Sequence, residues 1–170
     1  GVAILSKKKP IEVQKGFVKD TADDQKRFIQ AKFKWGKRSI TIMNGYFPQG
    51  ENRSHETKFP KKIKYYSDLK KHIKKTQKTE DNLIVMGDFN VAPSQLDIGI
   101  GEINAKRWLK EGKTAFLPEE IDMWNSIKDL GFIDSWREQN PDEGSIYSWF
   151  DYRSRMFDDT PKRGLRIDHI

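Results

Sequence analysis

The chain has 170 residues, with five Trp, ten Phe and five Tyr, so it can bury a sizeable core and its composition excludes a disordered polymer. It holds no Cys, which excludes a disulfide scaffold and thiolate metal sites, and no apolar run approaches the roughly 20 residues that span a bilayer. The formal charge of +7 is unevenly placed: between Arg53 and Lys78, ten Lys/Arg stand against Glu56 and Asp68, which is a footprint for a polyanion or, equally, a solvated helix face.

In chain order, Val2–Leu5 reads as a short apolar strand and Ile11–Gln14 as a second. Asp20–Gln25 is polar and reads as a loop. Ile29, Ala31, Phe33 and Trp35 alternate with polar residues, which predicts a half-buried strand. Gly36-Lys37 suits a hairpin turn, and Ile40, Ile42 and Asn44 alternate along the returning strand. Gly45–Gly50 carries two Gly and a Pro and reads as an irregular loop. Phe59, Ile63, Tyr66, Leu69 and Ile73 form one helical stripe, with lysines on the other faces and Pro60 in the first turn. Asn104–Lys110 predicts a short helix. Pro118 opens another, with Ile121, Trp124, Ile127 and Leu130 as its apolar face and Gly131 as its stop. Ile146–Tyr152 is aromatic and strand-like, Ser154–Arg163 is a polar loop, and Leu165–Asp168 begins a last strand.

The stretch with most chemistry is Leu83-Ile84-Val85-Met86-Gly87-Asp88-Phe89-Asn90. A short apolar run ending in Gly suits a buried strand. Residues two apart on an extended segment point the same way, so Asp88 and Asn90 are expected to project together from the strand end. A carboxylate there can take a proton or hold a hard cation, and an amide can orient a phosphate oxygen or a water. Such a pair equally caps a turn. Helix, strand and functional loop in this order predict a layered α/β architecture.

Six blocks taken together resemble the exonuclease III branch of the bacterial AP endonuclease family, within the endonuclease/exonuclease/phosphatase superfamily. They are Asn44–Glu51 (NGYFPQGE), Gly87–Asn90 (GDFN), Leu96–Gly101 (LDIGIG), Phe116–Glu120 (FLPEE), Tyr147–Arg153 (YSWFDYR) and Gly164–Asp168 (GLRID). The resemblance runs through the whole chain. It implies a four-layer αββα sandwich, of which this chain would be one domain lacking N- and C-terminal strands. It also implies Mg²⁺-dependent hydrolysis of DNA phosphodiesters, with Mn²⁺ as the alternative metal. Implied activities are incision 5′ to abasic sites and 3′→5′ trimming of duplex DNA, by a monomer that does not engage membranes, in the cytoplasm and nucleoid of a bacterium.

Residue by residue, the resemblance makes Asp88 the catalytic aspartate beside the metal and Asn90 the asparagine that fixes the phosphate, with both near the metal. Tyr46 becomes the tyrosine whose hydroxyl meets the phosphate, and Asp168 the aspartate that orients a histidine. Trp149, Phe150 and Leu165 become the apolar wall that accepts a base-less sugar by shape. Gln49 becomes the residue that enters the DNA at the lesion, and Arg153 a phosphate contact. The family's metal-binding glutamate and its histidine have no counterpart here. His169 follows Asp168 directly and so points to the opposite face; it is expected to be structural, and His55 and His72 to be exposed. The chain reads as an internal piece, weak or inactive by itself. Two other readings stay open: a phosphodiesterase or phosphatase of the same superfamily with another substrate, and a basic DNA-binding segment without catalysis.

Overall fold

The computed structural model describes residues 1–20, 26–77 and 82–170. Most of the expected loop Asp20–Gln25 lies outside the described residues. Five strands form one sheet in the order β1 (Glu12–Lys15), β2 (Phe28–Trp35), β3 (Arg38–Tyr46), β4 (Leu83–Asp88), β5 (Asp168–His169). β1–β2 and β2–β3 are antiparallel, and β2 and β3 meet at Gly36, whose φ of +60° suits the tight turn. β3 and β4 are parallel, joined through helix α1 (Lys58–Thr76) as parallel neighbours require, and β5 closes antiparallel on β4.

One face of the sheet carries α1 and α3 (Pro118–Lys128). Phe28, Met43 and Val85 from the strands pack there with Tyr66, Leu69 and Ile73 of α1 and Trp124 and Ile127 of α3. Phe47 and Phe89 stack at 4.1 Å at the strand ends, directly beneath the loops that follow. A second core of Ala92, Ile100, Phe116, Met156, Leu165 and Ile167 lies under those loops, with Trp108 of α2 (Glu102–Lys110) against it. Val2–Leu5 is not a strand. The Asn44 side chain holds the Ala3 carbonyl at 2.8 Å, and Ile4 faces Ala31 and Phe33 across the opposite face of the sheet.

Two further expectations change. Ile146–Tyr152 does not extend as a strand; among the described residues its ladder is a single bridge from Trp149 to Leu165, where Ser148, Trp149 and Leu165 spend their backbone groups on each other. On α1, Ile63 is 45% exposed while Lys62 is fully buried. The stripe is rotated toward a lysine because that lysine finds a carboxylate inside.

β3 and β4 come unusually close at their ends. Gly45 faces Gly87, and a Cβ on Gly87 would sit 2.0 Å from the Gly45 carbonyl oxygen, at a φ of +132°. Gly87→Ala therefore costs about 3 kcal/mol through overpacking and backbone strain. Urea unfolding of the two proteins checks this.

Candidate active site

The close approach at Gly45 and Gly87 sets the next residue pair. Tyr46 is the register partner of Asp88, and Asp88 that of Asp168. Partners on neighbouring strands point to the same face about 5 Å apart, so a phenol and two carboxylates stand in one row across β3, β4 and β5. Asn90 joins them differently from the extended geometry expected. The strand stops at Asp88, and Asn90 takes a left-handed φ of +52°, which Asn tolerates better than most residues. Its backbone N–H donates to Asp88 Oδ1 at 2.8 Å and its Nδ2 donates to the Phe47 carbonyl at 2.9 Å. The carboxamide is thus buried and fixed in orientation, with its oxygen as the atom able to meet a cation.

The surroundings of Asp88 shift its carboxyl. Burial pushes its carboxyl up to about 6; the Asn90 amide opposes this, the neighbouring Asp168 adds to it, and Lys62 and Arg27 draw it down. A carboxyl whose folded pKa lies above its ordinary value of 3.8 costs the folded state stability at neutral pH, and the cost fades as pH falls through 6. Asp88→Asn keeps an oxygen for the Asn90 amide. In metal-free buffer it stabilises the protein at pH 7 by about 1–2 kcal/mol, allowing for solvent screening of a partly exposed group. The gain vanishes by about pH 4, read from paired thermal melts across that range.

Tyr46 is 43% exposed, and the Arg27 guanidinium lies 4.7 Å from its ring centroid while donating to the Tyr46 carbonyl at 3.2 Å. The register carries the signal for Arg27, since it precedes Phe28, the partner of Gly45. Asp168 is exposed, and its placement comes from behind. Ser148 Oγ accepts from the N–H groups of Ile167 and Asp168, both at 3.0 Å. Arg166, buried beside it, donates Nε to Asp97 at 2.7 Å and its terminal nitrogens to both oxygens of Asp134 at 3.2 and 2.6 Å. His169 is buried on the opposite side from Asp168, with Nε2 on the Val91 carbonyl at 2.7 Å and its ring against Trp124. It holds β5 in place. His55 and His72 are half-buried rather than exposed; His72 meets Gln30 at 2.7 Å.

The remaining expected residues border the row unevenly. Trp149 and Leu165 exchange two backbone hydrogen bonds of 2.9 Å, next to Ser148 and three residues before Asp168. Leu165 is 2% exposed, so it backs the Trp149 ring rather than facing solvent. Phe150 is half-buried against Phe157. Gln49 is exposed, with its side-chain oxygen on the Glu51 amide at 3.0 Å, and Arg153 is exposed on the 3₁₀ turn Tyr152–Ser154. Sequence reasoning missed Lys62, which reaches this site from α1.

Asp88, Asp168 and the Asn90 carboxamide offer hard oxygen donors, the kind that suits Mg²⁺ or Mn²⁺. Among the described residues no group of three His, Cys, Asp or Glu converges, so the donors fit a cation that keeps waters and phosphate oxygens rather than a protein-only cage.

A sequence profile of the endonuclease/exonuclease/phosphatase family matches residues 1–170. Exodeoxyribonuclease III of Haemophilus influenzae is 51% identical over 170 residues, which is 100% of this chain and 63% of that protein. Among solved structures, a 3′ phosphatase from Neisseria bound to product DNA hairpin superposes with a TM-score of 0.80 at 30% identity, covering 94% of this chain and 57% of that one. An AP endonuclease from Archaeoglobus fulgidus does so with a TM-score of 0.76 at 29% identity, covering 95% and 57%. The chain therefore spans less than two thirds of each of these relatives.

Proposed function

The chain belongs to the endonuclease/exonuclease/phosphatase family, and from that premise we propose that its protein is a DNA-repair phosphodiesterase of the exodeoxyribonuclease III kind. It incises 5′ to abasic sites and trims duplex DNA 3′→5′. The observation that carries this is the single row of Tyr46, Asp88 and Asp168 with Asn90 locked onto Asp88. Support comes from the names of its relatives, an exodeoxyribonuclease, an AP endonuclease and a phosphatase with a DNA product.

The chain's own groups divide the work. The Asn90 amide binds Asp88 Oδ1 and leaves Oδ2 to take the proton of the attacking water, and burial strengthens that carboxylate as a base. The Tyr46 hydroxyl donates to a phosphate oxygen as charge grows there. The Asn90 carboxamide, held by Phe47, orients the phosphate. Asp168 steadies a histidine supplied from outside these residues. Mg²⁺, or Mn²⁺ in its place, would be held by Asp88 and Asn90 and would supply Lewis-acid stabilisation of the phosphoryl charge. Trp149 and Phe150, backed by Leu165, accept the base-less sugar, Gln49 enters the duplex at the lesion, and Arg153 contacts a phosphate. No helix among the described residues is long and apolar enough to cross a membrane. A monomer acting in the bacterial cytoplasm, on DNA in the nucleoid, fits this chemistry.

The test is turnover of the full-length protein with Mg²⁺ on an abasic duplex, an intact duplex and a phosphoinositide. Cleavage of the first at the 5′ side of the lesion, and 3′ trimming of the second, are expected. Turnover of the lipid alone would place it elsewhere in the superfamily. Salt-sensitive duplex binding without cleavage would make it a simple binder.

A further inference from the structure

Lys62 and Glu120 are an ion pair whose two side chains are both 0% exposed. Neither side chain has a direct part in the reaction as described, beyond the pull of the Lys62 charge on the Asp88 carboxyl. A buried ion pair adds little stability over well-packed apolar residues of the same size, so packing alone does not account for it. Its contacts do. The Lys62 ammonium has three hydrogens, and each has a partner: Glu120 Oε1, the Asn90 carbonyl at 2.8 Å and the Gln49 carbonyl at 3.3 Å. Glu120 Oε2 accepts from the N–H groups of Ala115 and Leu117 at 2.8 and 2.9 Å. Ala115 in turn accepts from the Ala92 N–H at 2.6 Å, so the pair grips the segment around Asn90 by two routes. Ala115 holds a φ of +124°, rare for a residue with a side chain, and the Glu120 bond fixes it there.

We propose that Lys62 and Glu120 form a positioning clamp for phosphodiester cleavage. The clamp ties α1 and α3 to three loops at once and sets where Asn90 and the Gln49 loop stand relative to Asp88. It also gives a physical reason for two features of the sequence, the Phe116–Glu120 block and a lysine on the inner face of a helix. Gly50 belongs to the same device. A Cβ there would meet the Lys62 stem at 3.2 Å, with Phe59 and Thr114 equally close. Neither Lys62 nor Glu120 touches the substrate; they act through Asn90 and the loop.

The inference rests on the reading of the site as a DNA phosphodiesterase, and the experiment separates the two. Wild-type full-length protein, Glu120→Gln and the double variant Lys62→Met with Glu120→Gln are compared on an abasic duplex with Mg²⁺. Hydrogen exchange is followed in parallel over the peptide spanning 86–92. The double variant removes both charges together, so no lone charge is left inside. Expected is a loss of kcat of about 100-fold with KM within about threefold, as for a misplaced reacting group, and faster exchange at 86–92. A kcat within about threefold of wild type, or a loss carried mainly by KM, overturns the clamp. Should the double variant not fold, Glu120→Gln decides. It keeps an oxygen for the Ala115 and Leu117 amides, so a kcat loss of about tenfold at constant KM supports the clamp and a loss under about twofold overturns it. If wild type itself cleaves no DNA, the functional reading fails, and unchanged exchange at 86–92 would then sink the clamp independently.

Discussion

Asp88→Asn in the full-length protein lowers cleavage of an abasic duplex by about 10³-fold and leaves the Kd for duplex DNA within about threefold. The substitution is isosteric and retains the acceptor for the Asn90 N–H, so the turn after β4 persists. What is lost is a carboxylate that can take a proton, at the centre of a row whose other members are a phenol and a second carboxylate. The wild-type rate should also fall with acid, because burial raises the Asp88 carboxyl to about 6 and the protonated form cannot serve as a base. A bound cation competes with that proton, so raising Mg²⁺ moves the fall to lower pH. Single-turnover rates across pH, with fluorescence anisotropy for DNA binding, read out both parts. A binder without chemistry would show no rate to lose.

Arg166→Met lowers stability by about 3–5 kcal/mol, since it strips the shared partner from two buried carboxylates. Asp97 and Asp134 are 1% and 8% exposed, and Arg166 bridges them. Burial would push the Asp134 carboxyl up, yet hydrogen bonds from the Arg166 guanidinium and the Arg137 N–H outweigh it and hold it well below the ordinary range. Asp97 is also lowered, with Arg166, Ser94 and Arg137 outweighing burial. Depressed carboxyls contribute stability that is present above their ordinary value of 3.8 and lost as pH falls through the folded pKa. The gap between wild type and Arg166→Met is therefore full at pH 7 and narrows in strong acid, which urea midpoints at pH 7 and pH 3 would reveal. The same variant loosens β5, so Asp168 shifts and the rate falls with it.

The strands and helices set by local pattern were legible from residues alone. The alternation of β2, the apolar run of β4 and the Trp124–Ile127 face of α3 each name their element. What escaped depends on distant partners. Lys62 reads as solvent-facing because helical periodicity sorts lysines outward, and partners distant in sequence, Glu120 58 residues on and the Gln49 and Asn90 carbonyls, make its burial tolerable. Ile146–Tyr152 has strand composition, but strand propensity needs a ladder to join, and the segment meets Leu165 at Trp149 in a single bridge. Asp88 and Asn90 were legible as a pair. Their geometry was not, because a positive φ at Asn90 turns its amide toward Phe47. The row of Tyr46, Asp88 and Asp168 is a fact of register among three strands far apart in sequence, and motif resemblance reached it before periodicity could.

The most direct measurement is a crystal structure of the full-length protein with an abasic duplex and Mg²⁺. The scissile phosphate should lie within hydrogen-bond or coordination reach of Tyr46, Asp88 and Asn90, with the base-less sugar against Trp149. A phosphate seated instead along the lysine face of α1, with Asp88 and Asp168 untouched by DNA or metal, would contradict the assignment of this row to phosphodiester hydrolysis.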